Sequence, residues 1–329
     1  MRILGTGSAL PAHTLTNDDL SKFLDTSDEW IRTHTGIRSR QVITDETLLQ
    51  LAARAANAAL ENASLVAADI DYILASSVLP DTITPSLGCL LQAEIGANCP
   101  ALDVNAACAG FLYALDLADA LTFSGKAQRV LVVCAEGMTR MVDWTDRSTC
   151  VLFGDGAGAA VVDGGEGGLM ATLLTSQGDA THLNMYPDPG NSPFATSRVP
   201  ARALHMDGPE IYKFAVSHSV SDLRAVCEKA GVALDDIDHF LLHQANRRII
   251  DAARARLKQP IEKFPMNVEV RGNTSSASVP ILLDEMNRAG RFKAGDLIAM
   301  SAFGAGLTTG ACVLKWTKGE TGASMPVSQ

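Results

Sequence analysis

Four stretches of the chain repeat apolar residues at the spacing that buries one face of a helix: residues 47–61, 109–122, 211–230 and 245–257. Between them lie short runs rich in valine, isoleucine and leucine, such as Arg129-Val130-Leu131-Val132-Val133, which read as buried strands. Helices alternating with such strands imply crossover connections and largely parallel sheets, an α/β architecture.

The pattern also repeats itself. Asp69-Ile70-Asp71-Tyr72-Ile73-Leu74 returns 167 residues later as Asp236-Ile237-Asp238-His239-Phe240-Leu241, each copy after an alanine-rich amphipathic stretch. The same interval carries residues 127–135 onto 294–302. Agreement of several elements on one interval predicts a duplicated αβ unit and two sheets packed with helices. The glycine run Gly164-Gly165-Glu166-Gly167-Gly168 is the expected boundary, giving halves 1–168 and 169–329. The less regular segment that follows, as far as Pro209, reads as a surface excursion near the site.

Composition narrows the class. With 329 residues, 47% hydrophobic and 19% charged, the chain can bury the interior of about two domains. A net charge of −10 works against polyanions, so neither nucleic acid nor membrane is expected as a partner. Seven cysteines without a C-x-x-C pair indicate neither a disulfide framework nor a zinc site; no metal is expected, and a reducing cytoplasm fits. Residues 1–12 lack the apolar core of a signal peptide, and no run approaches the length of a membrane helix.

Chemistry is concentrated in a few motifs. Asp103-Val104-Asn105-Ala106-Ala107-Cys108-Ala109-Gly110-Phe111 sets a cysteine among small residues just before a helical pattern. A thiol at a helix N-terminus meets the positive end of the dipole and unpaired N–H groups, which favour thiolate and predict a nucleophile for a thioester. Leu241-Leu242-His243-Gln244-Ala245-Asn246 places an imidazole beyond the carboxyl end of a strand, where active groups of α/β folds converge; taken alone it reads equally as a structural histidine. Arg271-Gly272-Asn273-Thr274-Ser275-Ser276-Ala277-Ser278 is a small-residue loop before another helix. The 167-residue interval sets Cys108 opposite Ser275, two residues after Asn273, so equivalent elements have a reason to bring Cys108, His243 and Asn273 together. Ser301-Ala302-Phe303-Gly304-Ala305-Gly306-Leu307 joins two strands through glycine, and its N–H groups suit an oxyanion formed when Cys108 attacks a carbonyl. Gly154-Asp155-Gly156-Ala157-Gly158 misses the dinucleotide spacing and reads as close packing in a turn.

These motifs resemble one family, the β-ketoacyl-acyl-carrier-protein synthase III branch of the thiolase superfamily. The likeness covers nearly the whole chain. It includes Gly5-Thr6-Gly7, Asp25-Thr26-Ser27-Asp28-Glu29-Trp30-Ile31, Thr35-Gly36-Ile37-Arg38, Asp146-Arg147, Gly154 to Gly158, His243-Gln244-Ala245-Asn246, Gly272-Asn273-Thr274-Ser275 and Ala302-Phe303-Gly304. The cysteine, histidine and asparagine set distinguishes the initiating branch from relatives with two histidines or two cysteines.

The resemblance implies a duplicated αβαβα thiolase fold, a homodimer, and a two-stage reaction that needs no cofactor. Cys108 would take an acyl group from acyl-CoA, with the N–H groups of Cys108 and Ala305 forming the oxyanion hole. His243 and Asn273 would then stabilise the enolate from malonyl-acyl carrier protein. Trp30 and Arg147 would hold the adenine end of coenzyme A, and Arg248 its phosphate. His34 stands where the family usually has arginine, bringing a ring that stacks but no permanent charge. The helix after Gln244 carries Arg247, Arg248, Arg254, Arg256 and Lys258 against Asp251, a basic concentration suited to an acidic carrier protein. Ser77, Thr84, Arg140 and Ser275 are candidate polar groups of the acyl pocket. A dicarboxylyl (glutaryl-type) starter, an aromatic or secondary-metabolite starter, and a noncatalytic carrier-binding subunit remain as alternatives.

Overall fold

Strand and helix boundaries follow local chemistry. Thr47 opens the first long helix by accepting the Gln50 N–H, while the Gln50 side chain accepts the Thr47 N–H, a reciprocal cap. Left-handed Ser64 ends that helix, and left-handed Gly231 ends its counterpart 167 residues on. The structure, a computed structural model, describes residues 1–186 and 202–319.

The first half runs β1 (Arg2–Ala9), β2 (His13–Thr16), α1 (Asn17–Leu20), α2 (Asp28–Thr35), β3 (Ser39–Val42), α3 (Leu48–Ala63), β4 (Tyr72–Ser76), α4 (Leu87–Ile95), β5 (Ala101–Val104), α5 (Gly110–Phe123), β6 (Arg129–Gly137) and β7 (Asp155–Asp163). The second runs β8 (Leu169–Asp179), β9 (Leu183–Tyr186), β10 (Arg202–Met206), α6 (Gly208–Ala230), β11 (His239–Leu242), α7 (Arg247–Leu257), α8 (Val268–Arg271), α9 (Ser278–Arg288), β12 (Leu297–Gly304) and β13 (Gly306–Lys315). One sheet has the order β1-β7-β6-β4-β5 and the other β11-β12-β13-β8; β2-β3 and β9-β10 are two-stranded ribbons.

The valine-rich strands are buried on both faces. Along β6, Val130, Val132 and Cys134 enter the central core, whereas Leu131, Val133 and Ala135 enter the core under α3. The central core takes Phe111 and Leu115 from α5, Val279 and Leu282 from α9, and Leu241 and Met300 from the second sheet. A third core lies between that sheet and helices α6 and α7. The layers are therefore αβαβα, with α5 and α9 in the middle. The internal echo is visible in detail: the Asp71 carboxylate accepts the N–H groups of Gln128 and Arg129, and Asp238 accepts that of Leu297.

Three sequence expectations change. The sheets are mixed: β4 pairs in parallel with β5 and β6, and β11 with β12, but β1-β7, β7-β6, β12-β13 and β13-β8 are antiparallel. No crossover helix follows β6, and β12 turns straight back into β13 at Ala305, so those neighbours must run antiparallel. Asp155 through Gly158 form the start of β7 and not a turn. The packing there is still close, because a Cβ on Gly158 would lie 2.7 Å from the Ile281 nitrogen of α9. The segment after the glycine run holds β8, the edge strand of the second sheet, and the ribbon β9-β10; residues 187–201 lie outside the described residues. Among the described residues, no helix is long and apolar enough to cross a membrane.

Gly7 shows why the first strand needs glycine. A Cβ there would sit 2.3 Å from the Ala55 oxygen and the Ala59 nitrogen of α3. Gly7→Ala should therefore cost about 1–3 kcal/mol through overpacking, read as a lower denaturation midpoint in urea. An unchanged midpoint would contradict this contact.

Candidate functional site

Two equivalent turns build the floor of the site, related by 168 residues and not 167, so that Cys108 stands opposite Ser276 instead of Ser275. After β5, the Asn105 side-chain oxygen accepts the Ala107 N–H at 3.1 Å, Ala107 adopts a left-handed φ of 47°, and Cys108 follows in a 3-10 turn that leads into α5. In the second half the Asn273 side-chain oxygen accepts the Ser275 N–H at 2.9 Å, Ser275 takes a φ of 50°, and the turn leads into α9. The main chain of Asn273 is fixed as well, donating to the Leu152 carbonyl and accepting from Gly154. With its oxygen engaged, the Asn273 carboxamide has its NH2 hydrogens left to give.

His243 comes from the end of β11, where its N–H donates to the Ser301 carbonyl of β12. Its Nδ1 lies 2.6 Å from the Ser278 hydroxyl, and Phe303 meets the ring edge-on at 5.1 Å. Ser278 accepts the Gln244 N–H, so its own hydroxyl hydrogen is free for Nδ1. When the Ser278 hydroxyl donates to Nδ1, the imidazole hydrogen is on Nε2. Cys108, His243 and Asn273 all line one cavity of about 780 Å³, together with Ser275, Gly304 and Ala305.

Burial sets the charge state of each group. The Cys108 thiol is pushed up to about 12 by burial, only partly opposed by its hydrogen bond to Ser275. Burial thus works against the thiolate expected at the helix N-terminus, and the resting thiol keeps its proton until an acceptor takes it. Burial lowers His243 to about 3, so its ring is neutral. The cavity wall is open to the Cys108 N–H because residue 304 is glycine: a Cβ there would lie 2.6 Å from that nitrogen.

The cavity grades from buried to exposed. His243 and Asn273 are buried, while Trp30 is half-buried and His34, Lys213 and Arg248 are exposed at the other end. Trp30 carries His34 stacked at 4.4 Å and the Arg147 guanidinium at 4.9 Å. A base would need about 3.5 Å on each side, so Arg147 and Trp30 must part before a ring enters between them. Arg147 also donates to the Asp25 carbonyl.

Other expected residues lie elsewhere. Arg247 pairs with Asp251 and faces a smaller cleft of about 270 Å³ shared with Arg32, Arg38 and Arg248. Arg254 turns its guanidinium to the Gln259 carbonyl, and the Arg256 carbonyl accepts from Arg224, so neither lines the cavity. Of the acyl-pocket residues, only Ser275 lines it. Ser77 is buried behind the wall that Val78 forms, Thr84 is exposed in the loop before Pro85, and Arg140 pairs with Asp81 at 2.6 Å. Residues missed from sequence are Ser278, which orients His243, and Glu136, bonded to Ser275 and Ser276. A lone glutamate closing a valine-rich strand was the available signal.

Comparison with known proteins agrees with this geometry. Residues 102–178 match the family described as 3-oxoacyl-[acyl-carrier-protein (ACP)] synthase III, and residues 227–316 match its C-terminal counterpart. The chain is 48% identical over 318 residues to a β-ketoacyl-[acyl-carrier-protein] synthase III of Xanthomonas campestris pv. campestris, covering 96% of this chain and 98% of the relative. It is 42% identical over 322 residues to the protein of that name from Clostridium acetobutylicum, with 97% and 99% covered. The crystal structure of 3-oxoacyl-[acyl-carrier-protein] synthase III from Aquifex aeolicus superposes with a TM-score of 0.90 at 44% identity, over 96% of this chain and 99% of that one. The duplicated layers, the shared cavity and these likenesses place the chain in the 3-oxoacyl-acyl-carrier-protein synthase III family of the thiolase superfamily.

Proposed function

We propose that the chain is an acyltransferase that condenses an acyl-CoA starter with malonyl-acyl carrier protein, through a thioester on Cys108, to begin a fatty acid chain in the cytoplasm. One observation carries the reading: a thiol, a neutral imidazole and a carboxamide line the buried part of one cavity whose exposed end is basic. The names of the relatives support the same reaction.

In the first stage the Cys108 sulfur attacks the acyl-CoA carbonyl, whose oxygen takes up negative charge. The N–H groups of Cys108 and Ala305 serve as donors to it, and Gly304 leaves the first uncovered. CoA departs along the channel past Trp30 and Arg248. In the second stage, the malonyl thioester carbonyl receives hydrogen bonds from His243 Nε2 and the Asn273 amide. Those bonds strengthen as loss of carbon dioxide turns the carbonyl into an enolate, and the new carbanion attacks the acyl-Cys108 carbon. A neutral imidazole suffices because it donates without losing its proton.

Among the described residues the wall offers a dicarboxylyl starter no buried cation: Arg140 is tied to Asp81, and Arg248 and Lys213 lie at the exposed end. A monocarboxylic starter fits the apolar lining of Val151, Leu152 and Phe153. The homodimer belongs to this reading as well, supported by the edge position of β5 and the exposure of Leu102 on it.

Intact-mass measurement tests the division of labour. Cys108→Ser should block acyl loading, whereas His243→Ala and Asn273→Ala should load normally and lose about 10²–10³-fold in malonyl decarboxylation. Equal loss of loading in all three variants overturns it. Because His243 stays neutral down to about 3, carbon dioxide release by preloaded enzyme should show no step near the ordinary histidine pKa of about 6.5. A fall centred there refutes the neutral donor. Arg248→Glu should raise KM for the carrier substrate about tenfold or more and flatten its salt dependence, with kcat nearly unchanged; an unaltered KM removes Arg248 from the docking surface.

A further inference from the structure

Glu136, the last residue but one of β6, has no exposed surface, and the two stages above give it no task. A buried carboxylate is costly unless donors surround it. Here one oxygen accepts the Val78 N–H at 3.0 Å, and the other accepts the Ser276 N–H at 3.3 Å, the Ser276 hydroxyl at 2.6 Å and the Ser275 hydroxyl at 3.1 Å. Among the described residues no cation offsets its charge. Ser275 has a second partner: the Cys108 thiol donates to its oxygen at 3.3 Å. The hydrogen bonds thus run in one direction, from the nucleophilic sulfur through a hydroxyl to a carboxylate.

We propose that Glu136, acting through the Ser275 hydroxyl, receives the Cys108 proton as the sulfur attacks the acyl-CoA, stores it while the acyl-enzyme lasts, and returns it when condensation frees the sulfur. Glu136 is a positioning residue for the proton and touches no substrate. The inference rests on Cys108 being the acyl acceptor.

The step balances. As the sulfur lone pair forms the bond to the acyl carbon, the thiol proton moves to Ser275 Oγ and the Ser275 proton moves to Glu136 Oε1. The carbonyl electron pair collapses back and expels CoA thiolate, which takes a proton from water outside the cavity. Decarboxylation later leaves a carbanion, its attack on the thioester releases Cys108 as thiolate, and the stored proton returns along the same two bonds. One cycle consumes one solvent proton, as loss of carbon dioxide from a carboxylate requires.

The surroundings favour this path over the imidazole. Burial raises Glu136 to about 7 against the pull of its hydrogen bonds, so it accepts and yields a proton near neutrality. His243, lowered to about 3, cannot keep one. With the thiol at about 12 there is no standing thiolate, and attack needs an acceptor. The titratable groups facing Glu136 are Cys108, from the turn before α5, and Cys134 on its own strand, also pushed up by burial. The 3-10 turn before α9 presents only the Ser275 and Ser276 hydroxyls and the Ser276 N–H, and the chain beyond β4 the Val78 N–H.

Single-turnover acylation by acetyl-CoA, followed by the mass of the Cys108 peptide across pH 5–9, tests the relay. Wild-type acylation should rise with pH through about 7, because Glu136 must be ionised to accept. Glu136→Gln keeps the shape but not the base; it should lose about 10²-fold at neutral pH and the inflection with it. Ser275→Ala cuts the path at its middle and should remove the same inflection. The relay is overturned if folded Glu136→Gln acylates at the wild-type rate with the inflection intact. If that variant does not fold, an intact inflection in Ser275→Ala overturns it instead. An inflection that His243→Ala abolishes and Glu136→Gln keeps gives the proton to the imidazole. If wild-type protein carries the acyl group on another residue, the reading of Cys108 fails first and the relay falls with it.

Discussion

Two helices from opposite halves of the chain begin at almost the same point, and everything in the site depends on how closely they meet. A Cβ on Gly110, the first residue of α5, would lie 2.1 Å from the Ser76 hydroxyl and 3.3 Å from the Ser276 Cβ. Each helix is approached through a left-handed residue that is not glycine, Ala107 or Ser275, a conformation costing about 1–3 kcal/mol where surroundings enforce it. An asparagine two residues earlier holds each turn by the same side-chain bond. Duplication thus supplied one rigid device twice. One copy presents a thiol, and the other presents the asparagine itself.

The same closeness decides the electrostatics. A site deep in the shared core removes water, and the first effect is to keep the thiol protonated and the imidazole neutral, while the glutamate behind them is raised to about 7. Charge appears only as bonds change, and fixed N–H groups are already in place where it develops. The helix N-terminus acts on that transient charge rather than on a resting thiolate.

Much of this could be read from the chain. The alternation of helices and valine-rich strands, and the 167-residue echo, gave the layers because repeated burial patterns leave few alternatives. Strand direction was less legible: whether β6 and β7 run antiparallel depends on the connection between them, and that stretch carries no periodic pattern. Cys108, His243 and Asn273 stood out because each opens or closes an element with small residues around it. Ser77, Thr84 and Arg140 do not line the cavity: Ser77 is buried, Thr84 is exposed in its loop, and Arg140 is held by Asp81. Glu136 and Ser278 act through partners far away in sequence, and no local spacing announces such pairs.

A crystal structure of the protein trapped with a short acyl-CoA addresses the central claim most directly. The account predicts an acyl group on Cys108 Sγ, its oxygen within hydrogen-bond distance of the Cys108 and Ala305 N–H groups, with His243 Nε2 and the Asn273 amide facing the same space. Density for the acyl group on another residue, or a Cys108 carbonyl oxygen pointing away from both N–H groups, would contradict it.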